Sequence, residues 1–363
     1  MLLKSKVAIV LGTRPEIIKM SPIIRYIIKK NINYYIIHSG QHYSYNMDKV
    51  FFEQLQIPKP KYKLEVGSKS PRLQTALIIS GTEKILEKNR PTIVLVQGDT
   101  NTVLGGAIAA KKCGIPVGHV EAGLRSYDDT MPEELNRIAT DHVSDYLFAP
   151  TEQTRKILLQ EGINKKKIFV TGNTIVDSVY QNYKYIERKK SILKDLDVNP
   201  KEFFLVSLHR QENVDNPKRF KNIIEGIKLV QKEFDIPIIY PIHPRSKKMA
   251  DKFKINFGNI KILDPQDYLT FLFLEKNAKL VMTDSGGVQE EVCILKVPCV
   301  TLRKNTERPE TIQVGANLLA GTNDKKILES VKNMLKKRTN WKNPFGNGKS
   351  SERIVRIINQ NYK

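Results

Sequence analysis

The sequence predicts an α/β protein made of two doubly wound domains facing each other across a cleft. Three observations carry this. Short β-branched runs alternate with helical patterns, the alternation restarts midway along the chain, and unusual polar residues gather where the runs end.

The first series of runs is KVAIVLG (6–12), YYIIHSG (34–40), TIVLVQGD (92–99), IPVGHVEAG (115–123), DYLFAP (145–150) and IFVTGN (168–173). After a polar, lysine-rich stretch the second series follows: FFLVSLH (203–209), IPIIYPIH (236–243), IKILDP (260–265), KLVMTDSGG (279–287) and VPCVTL (297–302). Continuous apolar runs of this length mark parallel strands covered on both faces. Their alternation with helices marks βαβ units. At 363 residues the chain is long for one core, which also favours two domains. The expected boundaries are 1–172 for the N-terminal domain and 173–351 for the C-terminal one. The segment 352–363 reads as an amphipathic helix that returns to the first domain.

Composition narrows the function. Forty per cent hydrophobic and 27% charged residues is ordinary for a globular protein. No apolar stretch reaches the roughly 18–20 residues of a bilayer span. The apolar run Val7–Leu11 is too short for a signal peptide and leads into a polar motif, so a cytoplasmic protein without a membrane partner is expected. Cys113, Cys293 and Cys299 form no CxxC pair, which argues against a disulfide framework or a zinc site and for small core residues. The net charge of +22 comes from scattered lysines, with modest clusters at 165–167, 188–190 and 336–338. No aromatic-interleaved basic stripe or nucleic-acid module accompanies them, so nucleic acid is not an expected partner. A small polyanionic ligand would also gain from this field.

In open parallel sheets, ligands bind at the carboxyl ends of the strands. In LGTRPEIIKMSP (11–22), a strand ends in Gly-Thr-Arg and Pro15 opens a helix. Backbone N–H groups there can meet an anion, and Arg14 adds a bidentate cation, unless it pairs with a local carboxylate. DSGGVQEEV (284–292) reads as strand, turn and helix. Ser285, Gly286 and Gly287 can cradle a diphosphate, and Glu291 can accept from ribose hydroxyls; an ordinary tight turn is the plainer reading. The motif is neither GxGxxG nor a P-loop. His209 ends a strand beside Arg210, fit to donate to a phosphate or serve as general acid, or else a structural histidine. Asp99, Glu121 and Glu133 come from two strand ends and the following loop. Gathered carboxylates suit acid–base work, although some could simply be solvated or paired with arginines, the preferred reading for Glu134. The histidines are dispersed and no metal-ligand motif occurs, so no metal is expected.

Taken in order, GTRPEIIKMSP, SGQH, VQGDT, HVEAGLRS, PEELNR, FAPTE, GNTIVD, HRQEN, PIHP, TDSGGVQEE and TERPETI resemble the non-hydrolysing UDP-N-acetylglucosamine 2-epimerase family over residues 6–330. The resemblance implies two Rossmann-like domains in the arrangement called GT-B, and a homodimer. It implies catalytic roles for Asp99, Glu121, Glu133 and His209. It implies substrate-binding roles for Arg14, Lys19, Arg137, Ser285, Gly286, Gly287, Glu291 and Arg308, with Glu310 in the same motif as Arg308. Family members in bacteria carry an effector site, onto which Gln41, His42 and His243 map; the residues that follow, YSYNMD, depart from the more charged family pattern. The implied reaction inverts C2 of a nucleotide sugar, UDP-N-acetylglucosamine, by elimination of UDP to 2-acetamidoglucal and re-addition, with no cofactor. Its product would feed cell-surface polysaccharide assembly. A hydrolysing epimerase and a glycosyltransferase of the same architecture are the alternatives.

Overall fold

The computed structural model describes residues 6–41 and 45–361. The chain divides into two compact units: Met1–Gln181 with Phe345–Lys363, and Asn182–Pro344.

The first unit runs β1 (Lys6–Leu11), α1 (Arg14–Lys29), β2 (Asn33–His38), α2 (Tyr45–Gln54), β3 (Tyr62–Lys63), α3 (Pro71–Lys88), β4 (Ile93–Gln97), α4 (Asn101–Lys112), β5 (Val117–Val120), α5 (Pro132–Val143), β6 (Tyr146–Ala149), α6 (Glu152–Gln160), β7 (Ile168–Val170) and α7 (Thr174–Ile186). The division at residue 181 falls inside α7. Its sheet has the order β3-β2-β1-β4-β5-β6-β7, and every strand pair is parallel.

The second unit continues with α8 (Ser191–Asp195), β8 (Phe204–Ser207), α9 (Gln211–Val214), α10 (Pro217–Phe234), β9 (Ile238–Pro241), α11 (Pro244–Phe253), β10 (Lys261–Leu263), α12 (Tyr268–Asn277), β11 (Leu280–Thr283), α13 (Gly286–Ile294), β12 (Cys299–Thr301), α14 (Pro309–Gln313), β13 (Asn317–Leu319) and α15 (Asp324–Leu335). Its sheet is also parallel, in the order β10-β9-β8-β11-β12-β13. The last helix, α16 (Ser350–Asn361), packs on α1 in the first unit. Asp177 of α7 fastens its start, accepting from the N–H groups of Ser350 and Ser351.

The strands form because their residues are β-branched or aliphatic and buried on both faces. Val7–Leu11 in β1 and Ile93–Val96 in β4 are essentially inaccessible. Each such side chain stabilises the fold by roughly 1.5–3 kcal/mol relative to exposure. Glycines set how closely α4 lies. A Cβ on Gly106 would come within 2.9 Å of Val10, and one on Gly105 within 2.7 Å of Ile78. The helix therefore sits tightly on the sheet and on α3, which fixes its N-terminal turn.

Each sheet reverses strand order at one place: between β1 and β4 in the first unit, and between β8 and β11 in the second. At such a switch point the two outgoing chains diverge and leave a crevice.

Among the described residues, no helix is long and apolar enough to cross a membrane.

Candidate active site

The carboxyl ends of β1, β4 and β5 converge the acidic residues of the first unit. Glu121, one residue beyond β5, is 6% exposed with φ 72°. Left-handed backbone in a non-glycine residue is a strained state, costing about 1–3 kcal/mol, and is kept where surrounding structure enforces it. Asp235 and Lys254 share the conformation, but they are exposed helix caps. Glu121 is buried, and Lys19 from α1 donates to both its carboxylate oxygens at 2.7 and 2.8 Å. Gln97, the last residue of β4, donates to the same carboxylate.

Asp99 follows two residues later, past Gly98, whose φ of 88° favours glycine. Arg137 of α5 donates to Asp99 Oδ2 at 2.6 Å and also to Glu134. Glu134 accepts from the N–H groups of Ser126 and Tyr127 and from the Ser126 hydroxyl. Burial alone would raise its pKa; these donors and the Arg137 charge outweigh that and leave it lowered. Glu134 thus ties the 124–131 loop, and the arginine that it pairs with reaches on to Asp99. Glu133 is half-buried in the first turn of α5. Arg14, at the first turn of α1, stacks on the Phe51 ring, 5.1 Å from its centroid.

Two structural residues in this crevice lie one or two positions along from those read in the sequence. Glu16 is buried, accepting from Gly12 N–H at 2.6 Å and from the Thr100 hydroxyl at 2.6 Å. It therefore bridges the β1–α1 and β4–α4 turns. Burial, above the opposing effect of these donors, pushes its pKa up to about 7. His119 of β5 is the second, with both ring nitrogens engaged.

Gln41 is buried beside the same crevice. Its amide oxygen accepts from the Thr102 N–H at 3.0 Å and from the Thr102 hydroxyl at 2.7 Å. His42 lies outside the described residues.

In the second unit, Asp284 at the end of β11 is fully buried. It accepts from the N–H groups of His209 and Arg210, each at 3.0 Å, and from the Asn213 amide at 3.1 Å. The His209 Nδ1 lies 3.2 Å from its Oδ1. Burial would raise the Asp284 pKa, but His209 and the amides outweigh it and hold it low. Asp284 holds the His209 ring through Nδ1, the geometry of a carboxylate-oriented histidine. The His243 ring lies 5.6 Å from that of His209. His243 caps α11, its Nδ1 accepting from Arg245 N–H.

Ser285 caps α13, and Gly286 and Gly287 form its first turn. A Cβ on Gly286 would meet nothing nearer than 3.7 Å, and one on Gly287 nothing nearer than 3.9 Å. A Cβ at either position would make no more than ordinary contact, so packing within the fold does not demand a bare backbone at this helix start. Glu291, one turn further, is buried next to Glu275. Burial foremost, and then the Glu291 charge, push Glu275 well above the usual carboxylate range. Arg308 is buried against Glu290. Nearby Arg303 makes two 3.0 Å bonds to Glu307. Among the described residues no three His, Cys, Asp or Glu side chains converge as a metal ion requires.

The sequence model of the family described as UDP-N-acetylglucosamine 2-epimerase matches residues 27–359. The chain belongs to this family. It is 58% identical over 361 residues to UDP-N-acetylglucosamine 2-epimerase of Methanocaldococcus jannaschii, covering 97% of this chain and 98% of that one. It is 52% identical to the Methanococcus maripaludis protein of the same name, again over 97% and 98%. The solved structure of the M. jannaschii UDP-GlcNAc 2-epimerase in complex with UDP-GlcNAc and UDP aligns with a TM-score of 0.93 at 56% identity, over 98% of this chain and 99% of that one. The two parallel-sheet α/β units are those of this epimerase family.

Proposed function

We propose that this family member interconverts UDP-N-acetylglucosamine and UDP-N-acetylmannosamine, keeping UDP on the product. The observation that carries the reading is the carboxylate arrangement at the β1/β4 switch point. Asp99 is held by Arg137, and Glu121 by Lys19 and Gln97. The 58% identity to a named epimerase supports the same reaction.

C2 of the sugar is not α to a carbonyl, so its proton is poorly acidic. Breaking the anomeric C1–O bond first changes this. The bonding pair leaves on UDP, positive character builds at C1, and a carboxylate removes the C2 proton in an anti elimination. The C2–H electron pair becomes the C1=C2 bond of 2-acetamidoglucal. In the return step the double bond takes a proton at the opposite face of C2, and a UDP oxygen closes on C1. Two of Asp99, Glu121 and Glu133 serve as base and acid. Arg14, His209, Arg308 and the Ser285–Gly287 turn stabilise the leaving diphosphate, and Glu291 accepts from ribose. Lys19 orients Glu121, and Arg137 orients Asp99.

The protein acts as a homodimer in this reading. Leu73 and Leu77 of α3 and Leu135 and Ile138 of α5 are exposed on helices that flank α4. Leu135 is 68% exposed, an apolar side chain that a second copy would cover.

Product analysis tests the reaction. UDP-N-acetylglucosamine incubated with the protein should yield UDP-N-acetylmannosamine on anion-exchange chromatography with mass detection. Free N-acetylmannosamine with equimolar UDP would replace this reading with hydrolysis.

A further inference from the structure

Glu133, Arg137 and Asp141 recur at four-residue spacing along α5, which puts them on one face of the helix. The first two are residues of the proposed site. The third is completely buried, and its carboxylate bonds His119 of β5 and Gly123 and Arg125 just past Glu121.

Asp141 Oδ1 accepts from His119 Nδ1 at 2.7 Å. His119 Nε2 in turn donates to the carbonyl oxygen of Gly98 at 2.8 Å. Both partners are acceptors, so each ring nitrogen donates. The Gly98 carbonyl belongs to the peptide that leads into Asp99. That turn is held again by Asn136, whose amide donates to the Asp99 carbonyl at 2.9 Å. Asp141 Oδ2 accepts from the Gly123 N–H at 3.1 Å. Gly123 lies two residues past Glu121, with φ 83°, and a Cβ there would lie 2.6 Å from the Thr154 carbonyl. The same oxygen lies 2.8 Å from Arg125 Nη1, and Arg125 is anchored to Glu161 by bonds of 2.7 and 2.5 Å. One carboxylate thus reaches the Asp99 turn through one oxygen and the Glu121 turn through the other.

We propose that Asp141 is a positioning residue that sets the Asp99 turn in register with the Glu121 turn, through His119 for the first and directly for the second. This rests on the reading of Asp99 and Glu121 as the acid–base pair. Base and acid must meet one carbon from two sides, so their relative placement matters more than either position alone. A displacement of about 1 Å at such a site can lower turnover about 100-fold. The nucleotide contacts proposed at α13 do not pass through Asp141, so affinity for UDP should stay unchanged.

The test compares Asp141→Asn and His119→Gln with Asp99→Asn and Glu121→Gln, all as full chains. Asp141→Asn keeps the side-chain shape but cannot accept from His119, Gly123 and Arg125 together. Its kcat should fall about 30- to 100-fold, with KM and the UDP dissociation constant within about threefold of wild type. His119→Gln leaves one amide donor for two acceptors and so breaks the bridge between Asp141 and Gly98; it should lose about 10-fold in kcat with the same unchanged binding, and it stands as the test if Asp141→Asn does not fold. Wild-type kcat in a folded variant of either kind, or a loss confined to KM, overturns the proposal. Near-normal turnover in both Asp99→Asn and Glu121→Gln would instead overturn the acid–base reading beneath it.

Discussion

At the scale of single residues, the site rests on paired charges inside the fold. Glu121 and Lys19 are both buried, and each needs the other. Removing one partner of such a pair commonly costs about 3–5 kcal/mol, because a lone charge is left in a dry place. Glu121→Gln is milder, since the amide oxygen still accepts from Lys19. That variant should lower the melting temperature by a few degrees and reduce kcat by about 10³-fold, with UDP affinity within about threefold. Turnover within tenfold of wild type would take Glu121 out of the chemistry. Arg14, Asp99, Glu121, His209 and Ser285 stood out in the sequence because each is a polar or charged type just past a strand end; Lys19, inside α1, was marked only by the family resemblance. Glu16, His119, Asp141 and Asp284 were not. They stand inside or beside the same motifs, but what they do depends on which turn folds against which, and spacing along the chain does not carry that. Glu134 was legible as an arginine partner, and it does pair with Arg137.

Secondary-structure elements explain why the turns are so firmly placed. Eleven strand runs were readable because continuous apolar segments bounded by Gly, Pro, Asn and Asp leave little choice. β3 and β13 were missed: the first has two residues in a lysine-rich segment, the second three, and both lie at sheet edges where one neighbour suffices. Glu16 joins two elements, and pH reads out that junction. Its folded pKa of about 7 lies above the ordinary glutamate value of 4.5, so the folded protein holds a proton that the unfolded chain has released between those values. Its stabilising effect is therefore complete below about 4.5 and is lost as pH rises through 7, by roughly 3 kcal/mol at most. The melting temperature of wild type relative to Glu16→Gln should accordingly decline from pH 5 to pH 8; a difference independent of pH would show that Glu16 does not titrate there. The α13 turn gives the opposite kind of test. Gly286→Ala adds a Cβ that would make only ordinary contact with Glu307 and Arg308, so stability should hold or rise slightly. UDP affinity should drop at least about tenfold. Unchanged affinity would mean that no phosphate lies against that backbone.

For the whole molecule, the two-series pattern in the sequence was enough to predict two parallel-sheet α/β domains, because parallel strands buried on both faces cannot be written with polar residues. The exposed apolar side chains of α3 and α5 were not legible as a surface, since an amphipathic helix shows its apolar positions whether a core or another copy covers them. If a second copy covers this face as proposed, Leu135→Glu should give a monomer by light scattering where wild type gives a dimer, while leaving the fold intact. A dimer of wild-type stability in that variant would place the contact elsewhere.

In the proposed reaction C2 exchanges its proton while UDP leaves and returns. The direct measurement follows UDP-N-acetylglucosamine by proton NMR in D₂O, with EDTA present and NAD absent. The expected result is UDP-N-acetylmannosamine carrying deuterium at C2, together with C2 deuteration of the remaining substrate as the reaction approaches equilibrium. Epimerised product that retains its C2 proton, or no epimerisation until a metal or nicotinamide is added, would contradict it.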